Sequence, residues 1–472
     1  MGKGGGNYPM AGKSKNRRDN GTNKANQAVN LLGIVEFLHE HLTRSLCNSV
    51  FKKTRSKERE RKWTLFALAR FWTAVIIRAP ESLTQALTEA VNGKDNMMPK
   101  VGASPEAFFK KAKNTRWTFF YKLYQAFTRS VLPEAPRAYA RSLGPLWERF
   151  PEIRILDGSR CDQIAHRLKI LWKEKGVILP GCLTAVYDLA RGITTNLIFS
   201  PDAAQHEFLR VESCLEGLPR GTLLMGDRAY GLPKFFRKLK DKNRGLFGLC
   251  RRNKTVKIRV LRVLSRWQGG RTFLEDALVE AGSGQTGAKV TLRIIRYRRQ
   301  GIRRDLVTNV LDPKKLSAKE ALTLYPFRWK IERIFFDLKE VLNLHSFYAA
   351  NANAVAMQIY AAAIVHSAFR VAQARIAEEQ EITPEIISPA KLFPRLAVAS
   401  DAVVKIELYR IELYRLNPGI SLVEPNIARM KFARTTLGAI LVEKRKGNRK
   451  KRKFHPARRR WKSLAHVSGF QN

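Results

Sequence analysis

Cysteine is scarce in this sequence, with five in 472 residues. Cys47, Cys161, Cys182, Cys214 and Cys250 are widely spaced, and none forms a C-x-x-C pair. That argues against a zinc site and for a reducing compartment. Acidic residues are also few, 40 Asp and Glu against 87 Lys and Arg, for a net charge of +47. Such an excess points to a polyanionic partner held through its phosphates, with strong salt dependence. The opening stretch MGKGGGNYPMAGKSKNRRDN has no apolar run and is not expected to be a signal peptide. The most apolar early stretch, residues 63–77, contains Arg70 and is too short to span a bilayer, so it reads as a buried helix. No membrane partner is expected, and a cytoplasmic protein is.

What is present suits a folded protein, since 44% of residues are hydrophobic. The length suggests about two to four domains. Residues 1–28 read as a disordered basic arm rich in Gly, Lys and Asn. Residues 29–150 show helical periodicity punctuated by prolines. Within them Trp117, Phe119, Phe120, Tyr121 and Tyr124 lie among Lys111, Lys113, Arg116 and Lys122. This pattern suits DNA contact or an ordinary amphipathic helix. From residue 151 apolar strands appear in IRILD, CLTAVYDL, ITTNLIFS, TLLMGD and GLFGLC, with helices read in DAAQHEFLRVESCLEGL and LPKFFRKLKD. The result is a mixed α/β sheet over 151–250 and 305–375, interrupted at 251–304 by a basic, β-rich insertion with a Gly-rich AGSGQTGAK turn. Ser317 and Glu320 are spaced as a capping box. A long helix is expected from Pro326 to about Leu344, and another in NANAVAMQIYAAAIVHSAFRVAQARIA. A helical region over 376–443 contains two tandem IELYR units, residues 406–415, which have no functional reading. The tail, 444–472, reads as a flexible nucleic-acid-binding segment.

Three acids stand out. Asp157 in ILDGS and Asp227 in GDRAYG each end an apolar strand beside glycine. Either one alone is also what a turn looks like. Asp162, Asp188 and Asp202 are nearby decoys, with Asp188 the strongest rival as a metal ligand. Glu332 lies in YPFRWKIERIFFDLKE, where Tyr325, Arg328, Glu332 and Lys339 follow a Y-x2-R-x3-E-x6-K spacing. On an ideal helix Arg328, Glu332 and Lys339 fall within about 60° of one another, beside the apolar stripe of Ile331, Phe335, Leu338 and Leu342. An i,i+4 salt bridge between Arg328 and Glu332 would explain part of this pattern. Three carboxylates beside cations also suit phosphodiester chemistry. Two Mg²⁺ about 4 Å apart neutralise the phosphate and activate an oxygen nucleophile, and hard oxygen ligands hold them.

The order ILDGS, GDRAYG, then Y-x2-R-x3-E-x6-K resembles the DDE transposases of bacterial insertion sequences. Within them it is most similar to the group with the YREK signature, relatives of the Tn five and Tn ten transposases. The resemblance covers roughly residues 154–375. It implies a ribonuclease-H-like catalytic core with a β-rich insertion, preceded by an all-helical N-terminal domain. It further implies that Asp157, Asp227 and Glu332 are catalytic and bind two Mg²⁺, for which Mn²⁺ substitutes. Tyr325, Arg328 and Lys339 would contact phosphates. Trp267, on the basic, Gly-rich SRWQGG turn of the insertion, reads either as stacking on an extruded base, as an insertion-domain aromatic does in relatives, or as packing the insertion's small hydrophobic face. Element ends would be cleaved through hairpins and joined to target DNA by a homodimer acting at the bacterial nucleoid, with the N-terminal helices recognising the terminal inverted repeats. Two other readings compete: a nuclease of the same fold that only cleaves, and a decayed or domesticated copy that only binds DNA.

Overall fold

The computed structural model describes residues 32–393, apart from 56–57, 93–97, 161–180, 203–204, 283–288, 343, 345–346, 349–350, 380, 388 and 390–392. The expectations for the basic arm, the Gly-rich turn, the IELYR units and the basic tail lie outside the described residues, as does Asp162.

Apolar strands at the centre of the chain order everything else. They are β1 (Ile153–Arg160), β2 (Cys182–Asp188), β3 (Ile193–Ser200), β4 (Leu223–Gly226) and β5 (Phe247–Arg251). They are followed by β6 (Ile258–Gly269), β7 (Thr272–Ala281), β8 (Val290–Arg299) and β9 (Ile302–Thr308). All nine join one sheet in the order β3-β2-β1-β4-β5-β9-β8-β7-β6. Strands β1, β4 and β5 run parallel, while β2, β3 and β9 are antiparallel to their neighbours. The insertion expected over 251–304 is therefore hydrogen-bonded into the core sheet, and β9 carries it there. It contains a further strand, β7, whose adjacent acids Glu275 and Asp276 break the period-two alternation that marks a strand.

Helices α1 (Leu32–His41), α2 (Arg44–Thr54), α3 (Leu65–Arg78), α4 (Leu83–Asn92), α5 (Pro105–Asn114), α6 (Thr118–Val131) and α7 (Leu146–Arg149) precede β1. Side chains of Thr43, Thr64 and Ser104 cap α2, α3 and α5 by accepting from backbone N–H groups of the first turn. The aromatic cluster in α6 faces inward. Phe119, Phe120 and Tyr124 are buried, and Tyr124 donates to the carbonyl of Thr194 at 2.6 Å. Packing, rather than a nucleic-acid surface, explains these rings.

Two cores follow from the period-two alternation of the strands. Ile153, Ile155, Leu223, Met225 and Leu249 face a core shared with α1–α7 and the long helix α12 (Ala352–Glu379). Leu156, Leu224 and Cys250 face a second core with α8 (Val211–Leu215) and α9 (Pro233–Lys240). By length and composition α12 could cross a bilayer, but its apolar window is wholly buried in protein.

Two helices differ from expectation. Among the described residues, the stretch 202–218 holds a 3-10 turn, Glu207–Arg210, and the five-residue α8. The helix expected from Pro326 to Leu344 is instead three pieces. A 3-10 turn (Tyr325–Trp329) follows α10 (Ala318–Leu324), then come α11 (Lys330–Phe336) and a π turn (Asp337–Val341). Pro326 lacks an N–H and cannot continue α10 smoothly. Beyond α11, Leu342 N–H donates to the carbonyl of Asp337 at 3.0 Å, the wider i→i+5 bond of a π turn. The capping box at Ser317 and Glu320 is present.

Arg293 on β8 locks the insertion to this region. It is buried, forks onto both carboxylate oxygens of Asp276 at 2.6 and 2.5 Å, and donates to the carbonyl of Leu316 at 2.6 Å, just before the Ser317 cap. Removing one partner strands a buried charge. Asp276→Ala is expected to lower stability by about 3–5 kcal/mol in equilibrium urea unfolding. Replacing both partners together, Asp276→Leu with Arg293→Met, is expected to lower it less. Equal losses would show that the pair is not the reason.

Candidate active site

The parallel register of β1 and β4 aligns Ile155 with Met225. Two residues further along, on the same face, come Asp157 and Asp227. Asp227 follows the last residue of β4, whereas Asp157, expected to end its strand, lies inside β1 opposite Ala185 of β2; each turns back on the backbone beside a glycine. Asp157 Oδ1 accepts from the Gly158 N–H at 2.9 Å, and Asp227 Oδ1 from the Ala229 N–H at 2.7 Å.

Arg328 approaches from the α11 side. Its Nη1 donates to Asp157 Oδ2 at 2.7 Å and its Nη2 to Glu332 Oε1 at 2.9 Å. One guanidinium thus joins two acids from distant parts of the chain. The i,i+4 pair anticipated between Arg328 and Glu332 exists, but as half of this bridge. Arg328 is buried, whereas the Glu332 side chain is 40% exposed. Lys339, carried by the π turn, lies 2.9 Å from the Ser159 hydroxyl at the end of β1. Tyr325 is buried and donates to the Gly226 carbonyl at 3.2 Å, next to Asp227. Burial pushes its phenol upward from the ordinary value.

Burial also pushes the Asp157 carboxyl up, to about 7; Arg328 opposes this, while the charge of Asp227 adds to it. Among the described residues no group of three His, Cys, Asp or Glu is gathered around one point. The guanidinium of Arg328 stands between Asp157 and Glu332 instead. The donors themselves are all carboxylate oxygens, the set that suits a hard divalent cation. The residues therefore fit such an ion if Arg328 turns aside.

Asp188, the rival ligand, is occupied elsewhere. It pairs with Arg154 at the opposite end of β1, accepts from the N–H groups of Ala190 and Arg191 at 3.0 Å each, and binds the Arg191 side chain at 2.9 Å. It closes a turn.

A groove of about 690 Å³ opens beside Asp227. Its lining includes Arg251, Arg303, Arg304, Arg328 and Trp329. Trp329 is 39% exposed, with the Arg328 guanidinium 5.0 Å from its ring. Sequence reading singled out none of Arg251, Arg303, Arg304 or Trp329, which come from β5, β9 and the 3-10 turn and meet only across the sheet. Trp267 lies on β6 and is 43% exposed. Its ring covers the backbone of Gly269, where an added Cβ would come within 2.7 Å. The register runs Trp267–Leu274–Tyr297–Arg304, so Trp267 shares a row with a groove arginine three strands away, about 14 Å at the usual strand spacing.

Residues 179–367 match a family described as a transposase DDE domain. The match includes Asp227, Tyr325, Arg328, Glu332 and Lys339; Asp157 lies before it. A 104-residue stretch is 34% identical to "Putative transposase y4zB" of Sinorhizobium fredii (strain NBRC 101917 / NGR234), covering 22% of this chain and 29% of that protein. The match thus spans less than a third of the curated relative. Among solved structures, a cryo-EM structure of a piggyBac transposase synaptic complex with hairpin DNA shows 9% identity and a TM-score of 0.35 over 86% of this chain and 85% of that one. Both sequence matches are to proteins or domains described as transposases.

The raised Asp157 carboxyl has a consequence for stability. Its folded pKa, about 7, lies above the ordinary 3.8, so the protonated form favours folding at low pH. That contribution is lost as pH rises from about 4 to about 7. In EDTA at pH 8, Asp157→Asn is therefore expected to be more stable than the parent by on the order of 2–4 kcal/mol, with little difference at pH 4. Thermal unfolding across this range checks it; parallel curves for the two proteins would contradict it.

Proposed function

We propose that the chain is the transposase of a bacterial insertion sequence, of the YREK-signature group related to the Tn five and Tn ten transposases. The observation that carries this reading is the bridge from Asp157 through Arg328 to Glu332, with Asp227 level on the neighbouring strand. The strand order β3-β2-β1-β4-β5, with β1, β4 and β5 parallel, fits a ribonuclease-H-like core. The match over residues 179–367 supports the same reading.

In this reading Asp157, Asp227 and Glu332 hold two Mg²⁺, or Mn²⁺ in their place. When bound, such ions neutralise the scissile phosphate and activate an oxygen nucleophile. Arg328 then exchanges its carboxylate partners for a phosphate oxygen, a group its planar fork also suits. Lys339 contacts a neighbouring phosphate at the rim. Tyr325 fixes the end of β4 through the Gly226 carbonyl and so orients Asp227. The arginine-lined groove guides the DNA backbone to these groups. Trp267, exposed on the outer strand, stacks on a base extruded when a duplex end closes into a hairpin. The enzyme binds terminal inverted repeats through its N-terminal helices. A homodimer pairs the two ends and joins them to target DNA in the bacterial cytoplasm, at the nucleoid.

Asp157→Ala, Asp227→Ala and Glu332→Ala are each expected to abolish nicking of DNA carrying the element's ends while retaining binding in a gel-shift assay. Normal cleavage by the Asp227 and Glu332 variants would end this reading. Joining of precut ends by the parent protein separates it from a nuclease that only cleaves. Trp267→Ala is expected to slow hairpin closure, by an amount matching the loss of about 1–3 kcal/mol of base stacking, and to leave the first nick nearly intact. Denaturing gels of a labelled duplex report both steps, and equal loss of the two would assign Trp267 to packing.

A further inference from the structure

The site has two sides, and they are unequal. On the α11 side Arg328 meets Asp157 and Glu332. On the other side, from the connection between β3 and β4, comes a fourth carboxylate. Glu207 opens the 3-10 turn Glu207–Arg210. Its Oε2 lies so close to Gly158 that a Cβ placed there would stand 2.2 Å away, with the Glu207 Cδ at 3.3 Å. A side chain in this position would push the carboxylate away from the residue next to Asp157.

The turn that carries Glu207 is firmly held. Arg210 is buried and donates to Thr184 Oγ1 at 2.8 Å, Gln205 Oε1 at 2.5 Å and Cys182 Sγ at 3.2 Å, tying the turn to β2. His206 Nδ1 accepts from the Phe208 N–H at 3.1 Å. Glu207 is thus placed by the fold. Yet among the described residues it forms no salt bridge, and Asp227 is the charge that bears on it most. Tyr230 adds a second sign. Its ring is fully buried, and its hydroxyl is directed at Glu207 without reaching ordinary hydrogen-bond geometry, while burial and the charges of Glu207, Asp157 and Asp227 raise its phenol.

A partly buried acid that feels the charges of Asp157 and Asp227, with no ion pair among the described residues, opposes folding. A buried hydroxyl left without a partner does the same. Both become favourable if a cation binds between these acids, with the Tyr230 hydroxyl donating to a carboxylate oxygen that the ion does not use. We propose that Glu207 belongs to the divalent-cation site, sharing an ion with Asp157 and Asp227 from the face opposite Arg328 and Glu332. Tyr230 orients Glu207 there, acting through it and not on the substrate. This inference rests on the metal-dependent reading above and adds a residue outside the three acids recognised from sequence.

The test is Mn²⁺ binding to the full chain without DNA, followed by the electron paramagnetic resonance signal of free Mn²⁺. The parent is expected to bind and Asp157→Asn to lose binding. Glu207→Gln is expected to bind about tenfold or more weakly. Gly158→Ala, which keeps every carboxylate but displaces Glu207, is expected to weaken binding likewise, and Glu216→Gln, on the exposed face of the same connection, to leave it unchanged. Thermal unfolding in EDTA guards against misfolding: Glu207→Gln should be at least as stable as the parent, and the gain on adding Mn²⁺ should shrink. If Glu207→Gln binds Mn²⁺ like the parent while Asp157→Asn does not, the inference is wrong and the metal reading stands. If the parent binds no Mn²⁺, the metal reading fails and takes the inference with it.

Discussion

Carboxylates brought level on adjacent parallel strands repel one another, and removing water strengthens the repulsion. Arg328 is the answer to that constraint on one face of the sheet, with one guanidinium serving Asp157 and Glu332 together. Much of the neighbouring structure delivers it. The capping box at Ser317 starts α10, Pro326 forces the 3-10 turn, and the turn swings Arg328 toward β1. Arg293 fixes the start of this path by binding the Leu316 carbonyl, so the insertion and the site share an anchor. The same bridge keeps the acids from meeting around one point. In the proposed function, phosphate or metal would have to compete with it, which would make the arginine a threshold for occupancy.

The two cores explain why the site sits where it does. Alternate residues of β1 and β4 are committed to opposite faces, so the strand ends are the first places where polar side chains can emerge. Below them α12 forms a buried, mostly apolar floor that also carries Gln358, His366, Ser367, Arg370 and Gln373. The π turn at Asp337–Val341 adds a residue to the helical path, and Lys339 reaches Ser159 from it. An uninterrupted α-helix would turn Lys339 by a different angle relative to Glu332.

Sequence made the strand-end acids visible because each follows an apolar run and adjoins a glycine. Arg328, Glu332 and Lys339 were visible because their spacing is periodic. The mixed α/β sheet was legible from the texture of its strands. What stayed hidden depends on contacts across the sheet. Glu207 has no local mark; only the closeness of Gly158 reveals it. Arg251, Arg303 and Arg304 are three among many arginines until β5 and β9 pair. The π turn was hidden because Asp337 and its neighbours have ordinary helical composition. Asp188 misled because a turn-closing aspartate and a metal ligand share the same local sequence.

Strand β6 ends the sheet with twelve residues, most of them exposed, including Val260, Leu261, Val263 and Trp267. A bare, apolar edge of that length is a template for unwanted strand addition. Arg259, Arg262 and Arg266 punctuate it, and two bulges interrupt its register. Like charges would face each other if two such edges met, which opposes edge-to-edge pairing. That protection is ionic and fades as salt shortens the screening length. The buffers that strip nucleic acid from so basic a protein are thus the ones in which it is most prone to clump.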